Sequence, residues 1–132
     1  LTGRRTVTEA DVVNFAGLSG DFNPLHTDSE FARETPFKER IAHGMLSVAI
    51  ATGLANQLGI FEGTTLALLE VNTRFKGAVR FGDTIQLLLK VKEKKETSKP
   101  DRGVIIFSAF IKNQKNEVVA EGEWVLMMRR KG

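Results

Sequence analysis

The sequence predicts an α+β fold, with a long central helix wrapped by an antiparallel sheet in one domain spanning 1–132. Three observations predict it. The first part of the chain carries apolar residues at helical spacing, whereas from Leu66 onward the apolar period falls to two. Between them lies Gly44 to Leu58, without one charged side chain. An uncharged helix followed by a meander of strands is buried best if the sheet curls around the helix. The 132 residues, 42% hydrophobic and 27% charged, suit a single core and exclude a disordered chain.

The elements follow in order. Thr8 precedes Glu9-Ala10-Asp11 as an N-cap with acidic residues in the first turn. Val12, Val13, Phe15, Ala16 and Leu18 then form an inward face, and Gly17, Ser19 and Gly20 end this helix. Asp21 to His26 reads as a fixed loop rather than helix or strand, because Pro24 locks its own φ and keeps Asn23 out of the α region. Ser29 to Arg33 makes a further short turn, and Arg40-Ile41-Ala42-His43 reads as extended. The central helix runs from Gly44 to Leu58. In the meander, Leu69, Val71, Thr73 and Phe75 make a half-buried strand, followed by Ile85, Leu87, Leu89 and Val91 on one face of a long strand. Val104 to Ile111 is apolar on both faces, as in a central strand covered on each side. The last strand places Val118, Ala120, Gly122, Trp124, Leu126 and Met128 together.

Composition narrows the function. The net charge of +3 is mild and dispersed, with runs only at Lys92-Glu93-Lys94-Lys95 and Arg129-Arg130-Lys131, so no basic stripe indicates nucleic acid. The absence of cysteine excludes disulfides, a thiol nucleophile and thiolate metal sites. Two histidines seventeen residues apart make a poor zinc set, so no metal is expected. The opening Leu1-Thr2-Gly3-Arg4-Arg5 lacks the apolar run of a signal peptide, and Gly44 to Ile60 is too short and polar for a membrane span. The expectation is a cytoplasmic protein.

Chemistry concentrates in Asp21 and His26, five residues apart on one rigid segment. Taken alone, Asp21 is a turn-former and His26 a structural histidine. In register with Asn23-Pro24, a carboxylate and an imidazole can converge to move protons to and from a substrate or a water. Gly44, at the start of the central helix, lacks a side chain that would block approach to a helix N-terminal N–H.

These residues carry a family resemblance. Phe15 to His26, reading Phe-Ala-Gly-Leu-Ser-Gly-Asp-Phe-Asn-Pro-Leu-His with Ala32 beyond it, resembles the hydratase signature of the MaoC-like dehydratases, also called R-specific enoyl-CoA hydratases. Ile41-Ala42-His43-Gly44-Met45-Leu46 is similar to that family's segment leading into the central helix, and Phe81-Gly82-Asp83 fits its later half. The resemblance implies a hot-dog fold, a homodimer, and interconversion of trans-2-enoyl-CoA with (R)-3-hydroxyacyl-CoA in fatty-acid or polyhydroxyalkanoate-type acyl metabolism. It implies no cofactor apart from the coenzyme A or acyl carrier protein of the substrate itself. It assigns Asp21 and His26 to the catalytic water and the Gly44 amide to the thioester oxygen. Asn23, His43 and Ser47 are expected to bind substrate or support the site.

Two alternatives stand beside this reading. A hot-dog thioesterase would resemble relatives that carry an acidic residue on the central helix, and Gly44 to Leu58 has none. A non-catalytic acyl-thioester-binding domain would be favoured by loss of Asp21 or His26, and both are present. Arg74, Lys76 and Arg80 are candidates for the phosphates of coenzyme A, and the small residues Ala49, Gly53 and Ala78 for an acyl tunnel.

Overall fold

A computed structural model describes residues 1–130; Lys131, the end of the second basic run, lies outside the described residues. The elements are β1 (Arg4–Thr6), α1 (Glu9–Ser19), α2 (Pro24–Thr27), α3 (Ser29–Arg33), α4 (Gly44–Asn56), β2 (Thr65–Phe75), β3 (Thr84–Glu96), β4 (Arg102–Lys112) and β5 (Val118–Arg129). The five strands form one antiparallel sheet in the order β1-β3-β4-β5-β2, and α4 packs on its inner face. This is the α+β arrangement that the change of period predicts.

The core lies between α4 and the sheet. Leu46, Val48, Ile50, Ala51, Leu54 and Ala55 of the helix meet Ile85, Leu87, Phe107, Ala109, Ile111 and Trp124 of the strands. Ile85 and Leu87 are fully buried, each contributing about 1.5–3 kcal/mol of apolar burial. Gly122 permits the tightest approach in the sheet. A Cβ there would fall 1.8 Å from the Asn72 carbonyl oxygen, across the β2–β5 pairing of Thr73 with Gly122.

The structure corrects several sequence expectations. Pro24 starts a helical turn instead of barring one, since its φ suits the first helical position and its missing N–H would have no partner there. The predicted inner row of β2 is largely exposed: Leu69 is 49% and Phe75 51% exposed, and only Thr73 is half-buried, because little of the chain covers that face. β4 is central, but only Phe107, Ala109 and Ile111 are buried, while Val104, Ile106 and Phe110 on the other face remain half-buried. Val91 is exposed beside a register shift in the β3–β4 ladder. The short strand β1, pairing Arg4, Arg5 and Thr6 with β3, has too little sequence for a period to register.

α1 begins at the expected Thr8. Its hydroxyl accepts from the Asp11 N–H at 3.2 Å, and its N–H donates to the Asp11 carboxylate at 2.9 Å. That backbone donor, aided by the Arg5 guanidinium at 2.7 Å, lowers the Asp11 pKa below the ordinary carboxylate value. A lowered folded-state pKa gives stability that is present above the unfolded pKa and lost as pH falls through the folded one. Asp11→Asn should therefore cost about 1 kcal/mol near neutral pH. The difference in thermal midpoint from the parent should shrink as pH drops below the lowered Asp11 value; a difference that persists unchanged there would contradict the charge-assisted cap.

Candidate active site

Three segments converge at the N-terminal end of α4. The first is the turn after α1. Gly20, at φ 79°, closes α1 in the left-handed conformation, which turns the chain sharply into Asp21. Asp21 Oδ1 accepts from the Asn23 N–H at 3.1 Å, and Asn23 Oδ1 accepts from the Leu25 N–H at 3.0 Å, capping α2. Asn23 is thus spent on shaping the backbone, and His26 follows within one helical turn.

His26 is fixed from two sides. Its Nδ1–H donates to the Ile41 carbonyl at 2.7 Å, since a carbonyl can only accept. When the ring is neutral, Nε2 is left as the lone-pair nitrogen. The Arg40 Nε–H donates to the His26 carbonyl at 2.9 Å, and its guanidinium also meets Glu9 of α1 at 2.9 Å and lies 5.0 Å from the Phe81 ring centroid. Arg40 is the residue that sequence reasoning missed. No local pattern marks it, because its partners are 14 and 31 positions away.

His43, only 3% exposed, joins the segments. Its Nε2–H donates to the Asp21 carbonyl at 2.9 Å, its ring stacks on His26 at 3.9 Å between centroids, and Phe15 of α1 meets it edge-on at 5.0 Å. Its Nδ1 is buried without a hydrogen-bond partner. The two histidines, distant in sequence, are therefore neighbours. One polar atom from each of Asp21, His26 and His43 lies within 4.8 Å of the others. Such spacing could accommodate an ion, but imidazole lone pairs lie in the ring plane and these rings are within 25° of parallel. Two of their four nitrogens are also committed to carbonyls. The arrangement fits a hydrogen-bonded frame better than an ion cage.

The third segment is the start of α4. His43 is its N-cap residue but makes no side-chain capping bond, so the first helical amides remain available. They carry the positive end of the helix dipole. Gly44 packs closely against Phe75: a Cβ would fall 2.7 Å from its ring, so the ring would have to shift to admit one. His26, Gly44, Ser47, Phe75 and Lys76 line a cavity of about 460 Å³ whose walls are mostly apolar. Ser47 is buried against it. Asp21 is exposed and adjoins His26 without forming part of the cavity wall.

The more speculative candidates separate. Lys76 lines the cavity but pairs with Glu121 at 2.8 Å, and Arg80 is held by the Phe37 carbonyl and Glu39. Arg74 lies in a different depression with Lys92 and Ser108. Ala78 lines the main cavity, whereas Ala49 and Gly53 line a groove between α1 and α4. The expected grouping of these small residues in one tunnel does not occur.

Comparison with known proteins bears on the family and the fold. Residues 2–106 match the family described as MaoC like domain. An (R)-specific enoyl-CoA hydratase from Rhodospirillum rubrum is 35% identical over 97% of this chain and 84% of its own length. Protein MaoC of Klebsiella aerogenes is 46% identical over 71% of this chain, a match that spans 28% of that longer protein. Among solved structures, a monoamine oxidase regulatory protein from Archaeoglobus fulgidus superposes with a TM-score of 0.93 at 36% identity, covering 99% of this chain and 88% of that one. The (R)-hydratase of A. caviae involved in PHA biosynthesis superposes at 0.80 with 31% identity, covering 96% and 91%.

If His43 ties the turn to the helix, its removal should loosen both. His43→Ala should destabilise the fold by about 1–3 kcal/mol through the lost hydrogen bond and stacking contact. His43→Phe, which keeps a ring against His26, should recover part of that loss. Urea midpoints equal to the parent for both variants would show that the contact holds nothing.

Proposed function

Because the chain belongs to the MaoC-like dehydratase family, we propose that it interconverts trans-2-enoyl and (R)-3-hydroxyacyl thioesters of coenzyme A by addition and loss of water. One observation carries the reading: a histidine of fixed tautomer, beside a carboxylate, lies near a helix N-terminus whose first amides lack a side-chain cap. His26 and the helix start line the same cavity.

Hydration demands both halves of this arrangement. The water oxygen bonds to C3, one water proton is taken up by the Asp21–His26 pair, and one proton is delivered to C2. The protein therefore ends in the protonation state in which it began. The lone pair on His26 Nε2 suits the first transfer, and the neighbouring Asp21 carboxylate offers a second acceptor. Electron density passes meanwhile to the thioester oxygen. The Gly44 amide, at the positive end of α4 in a mostly apolar cavity, is a preorganised donor for that oxygen. Ser47 supports the cavity wall, and His43 holds the proton-transfer pair against the helix. Acid and base groups on one side of the alkene would set the R configuration. The uncharged α4 provides no carboxylate for the thioesterase alternative.

Dimer formation belongs to the same reading. Leu66, Leu68, Leu69, Val71 and Phe75 are exposed on the edge strand β2, and Met45 of α4 is exposed as well. A long apolar edge invites pairing with another strand, and a second copy supplies one. No described helix is long and apolar enough to cross a membrane.

Asp21→Asn and His26→Ala should each lower crotonyl-CoA hydration by at least about a hundredfold while the circular dichroism spectrum stays that of the parent. Near-normal turnover by both variants would overturn the mechanism. For the dimer, Leu66→Lys with Leu69→Lys should shift sedimentation equilibrium toward monomer; an unchanged dimer would remove β2 as its interface.

A further inference from the structure

No residue of α2 is buried, although this single turn from Pro24 to Thr27 carries His26. One turn of helix does not hold itself in water, so the place of His26 depends on ties from outside the turn. Asn23 caps its start, and the Asp28 N–H closes it on the Pro24 carbonyl at 2.9 Å. The His26 carbonyl comes at the C-terminal end, where carbonyls lack intrahelical partners, and the Arg40 Nε–H fills that place at 2.9 Å.

Two adjacent residues thus grip His26 at both ends. Arg40 holds the main-chain carbonyl, and the Ile41 carbonyl holds the ring through Nδ1–H. Both belong to a segment that is itself fixed: Ile41 bridges to Arg80, and the Ala42 N–H donates to the Val79 carbonyl at 2.8 Å. The Arg40 side chain is only 15% exposed. Its guanidinium also pairs with Glu9 and lies over the Phe81 ring. A planar fork with several fixed donors can meet these partners together, and a lysine ammonium cannot. Arg40 does not line the site cavity, so it acts on a substrate there only through His26.

We propose that Arg40 is a positioning residue for the proton transfer: with the Ile41 carbonyl it clamps His26 in the one tautomer that leaves Nε2 as the acceptor. This rests on the hydratase reading above. Without the Arg40 tie, α2 is free to shift, the bond from Nδ1–H to Ile41 weakens, and the ring proton can sit on either nitrogen. A displacement of about 1 Å at a reacting group costs up to about a hundredfold in rate. The stacked partner ring provides an internal reference. His43 carries its proton on Nε2, opposite to His26, and these are the two histidines of the chain.

The test joins rates of crotonyl-CoA hydration to magnetic resonance spectra of the imidazole nitrogens, at a pH where both rings are neutral. Arg40→Lys keeps the charge without the fork, and Arg40→Met keeps only the stem. Each should lower kcat by about tenfold or more while KM stays within about twofold. The His26 nitrogens should move toward averaged tautomers, with those of His43 as in the parent. Glu9→Gln leaves the His26 bond in place and should change kcat by less than about twofold, since that ion pair ends on an exposed carboxylate. Parental kcat with a parental His26 spectrum in either folded variant would overturn the clamp, as would a raised KM at unchanged kcat. If neither variant folds, the parent decides: its Arg40 Nε–H should exchange with water at least about a hundredfold more slowly than those of exposed arginines, and equal exchange would overturn the clamp. A parent that hydrates no enoyl-CoA would instead overturn the hydratase reading and the part of Arg40 in it, while the spectra would still show whether Arg40 holds His26.

Discussion

The contact between His43 and the turn after α1 is the constraint on which the site depends. The turn carries Asp21 and His26, the uncapped amides belong to α4, and the connection between them includes only the short helix α3. Its last residues tie the two parts together. His43 does so from the last position before the helix, donating to the Asp21 carbonyl and lying flat against His26. Arg40 adds a second tie by holding the His26 carbonyl and reaching Glu9. The proposed hydration requires the Asp21–His26 pair at a fixed distance from the reacting atoms, and these ties hold both residues in place.

The rest of the molecule supplies a rigid support for that contact. The fully buried Ile85 and Leu87 of β3 and the buried face of α4 fix the helix on the sheet. The helix start is then held by Phe75, which occupies the room that a side chain at Gly44 would need. Polar chemistry is confined to one end of α4, and the opposite end packs with apolar residues such as Phe61 and Trp124. Such division leaves the positive end of the helix dipole facing the cavity without placing unpaired charge in the core.

Much of this was legible in the sequence because the signals were local. Thr8 followed by Asp11, Gly20 after an apolar face, and the period-two run in the last strand each state their own conformation. Family membership was legible as well, through the combination of the Asp21–His26 segment with His43-Gly44. What escaped notice depends on contacts distant in the chain. The stacking of two histidines has no sequence period, and Arg40 is defined by partners on other elements. Pro24 is ambiguous in sequence, because a proline breaks a helix interior but fits its first turn, which is where it stands in α2. The exposure of β2 shows a different limit. Its alternation reports a face suited to burial, but not which molecule covers it.

Gly122 also bears on how this protein can diverge. A side chain there would strike the backbone of β2, so the strand could accept one only by moving away from β5. Variation at that position acts on the spacing of two strands rather than on the shape of one wall. By contrast, the half-buried Thr73 opposite it meets its surroundings through a side chain. The two kinds of position therefore differ in what a substitution must move: main chain at the glycine, a single side chain beside it. A mutagenesis library would recover its viable diversity from positions of the second kind and almost none from the glycine.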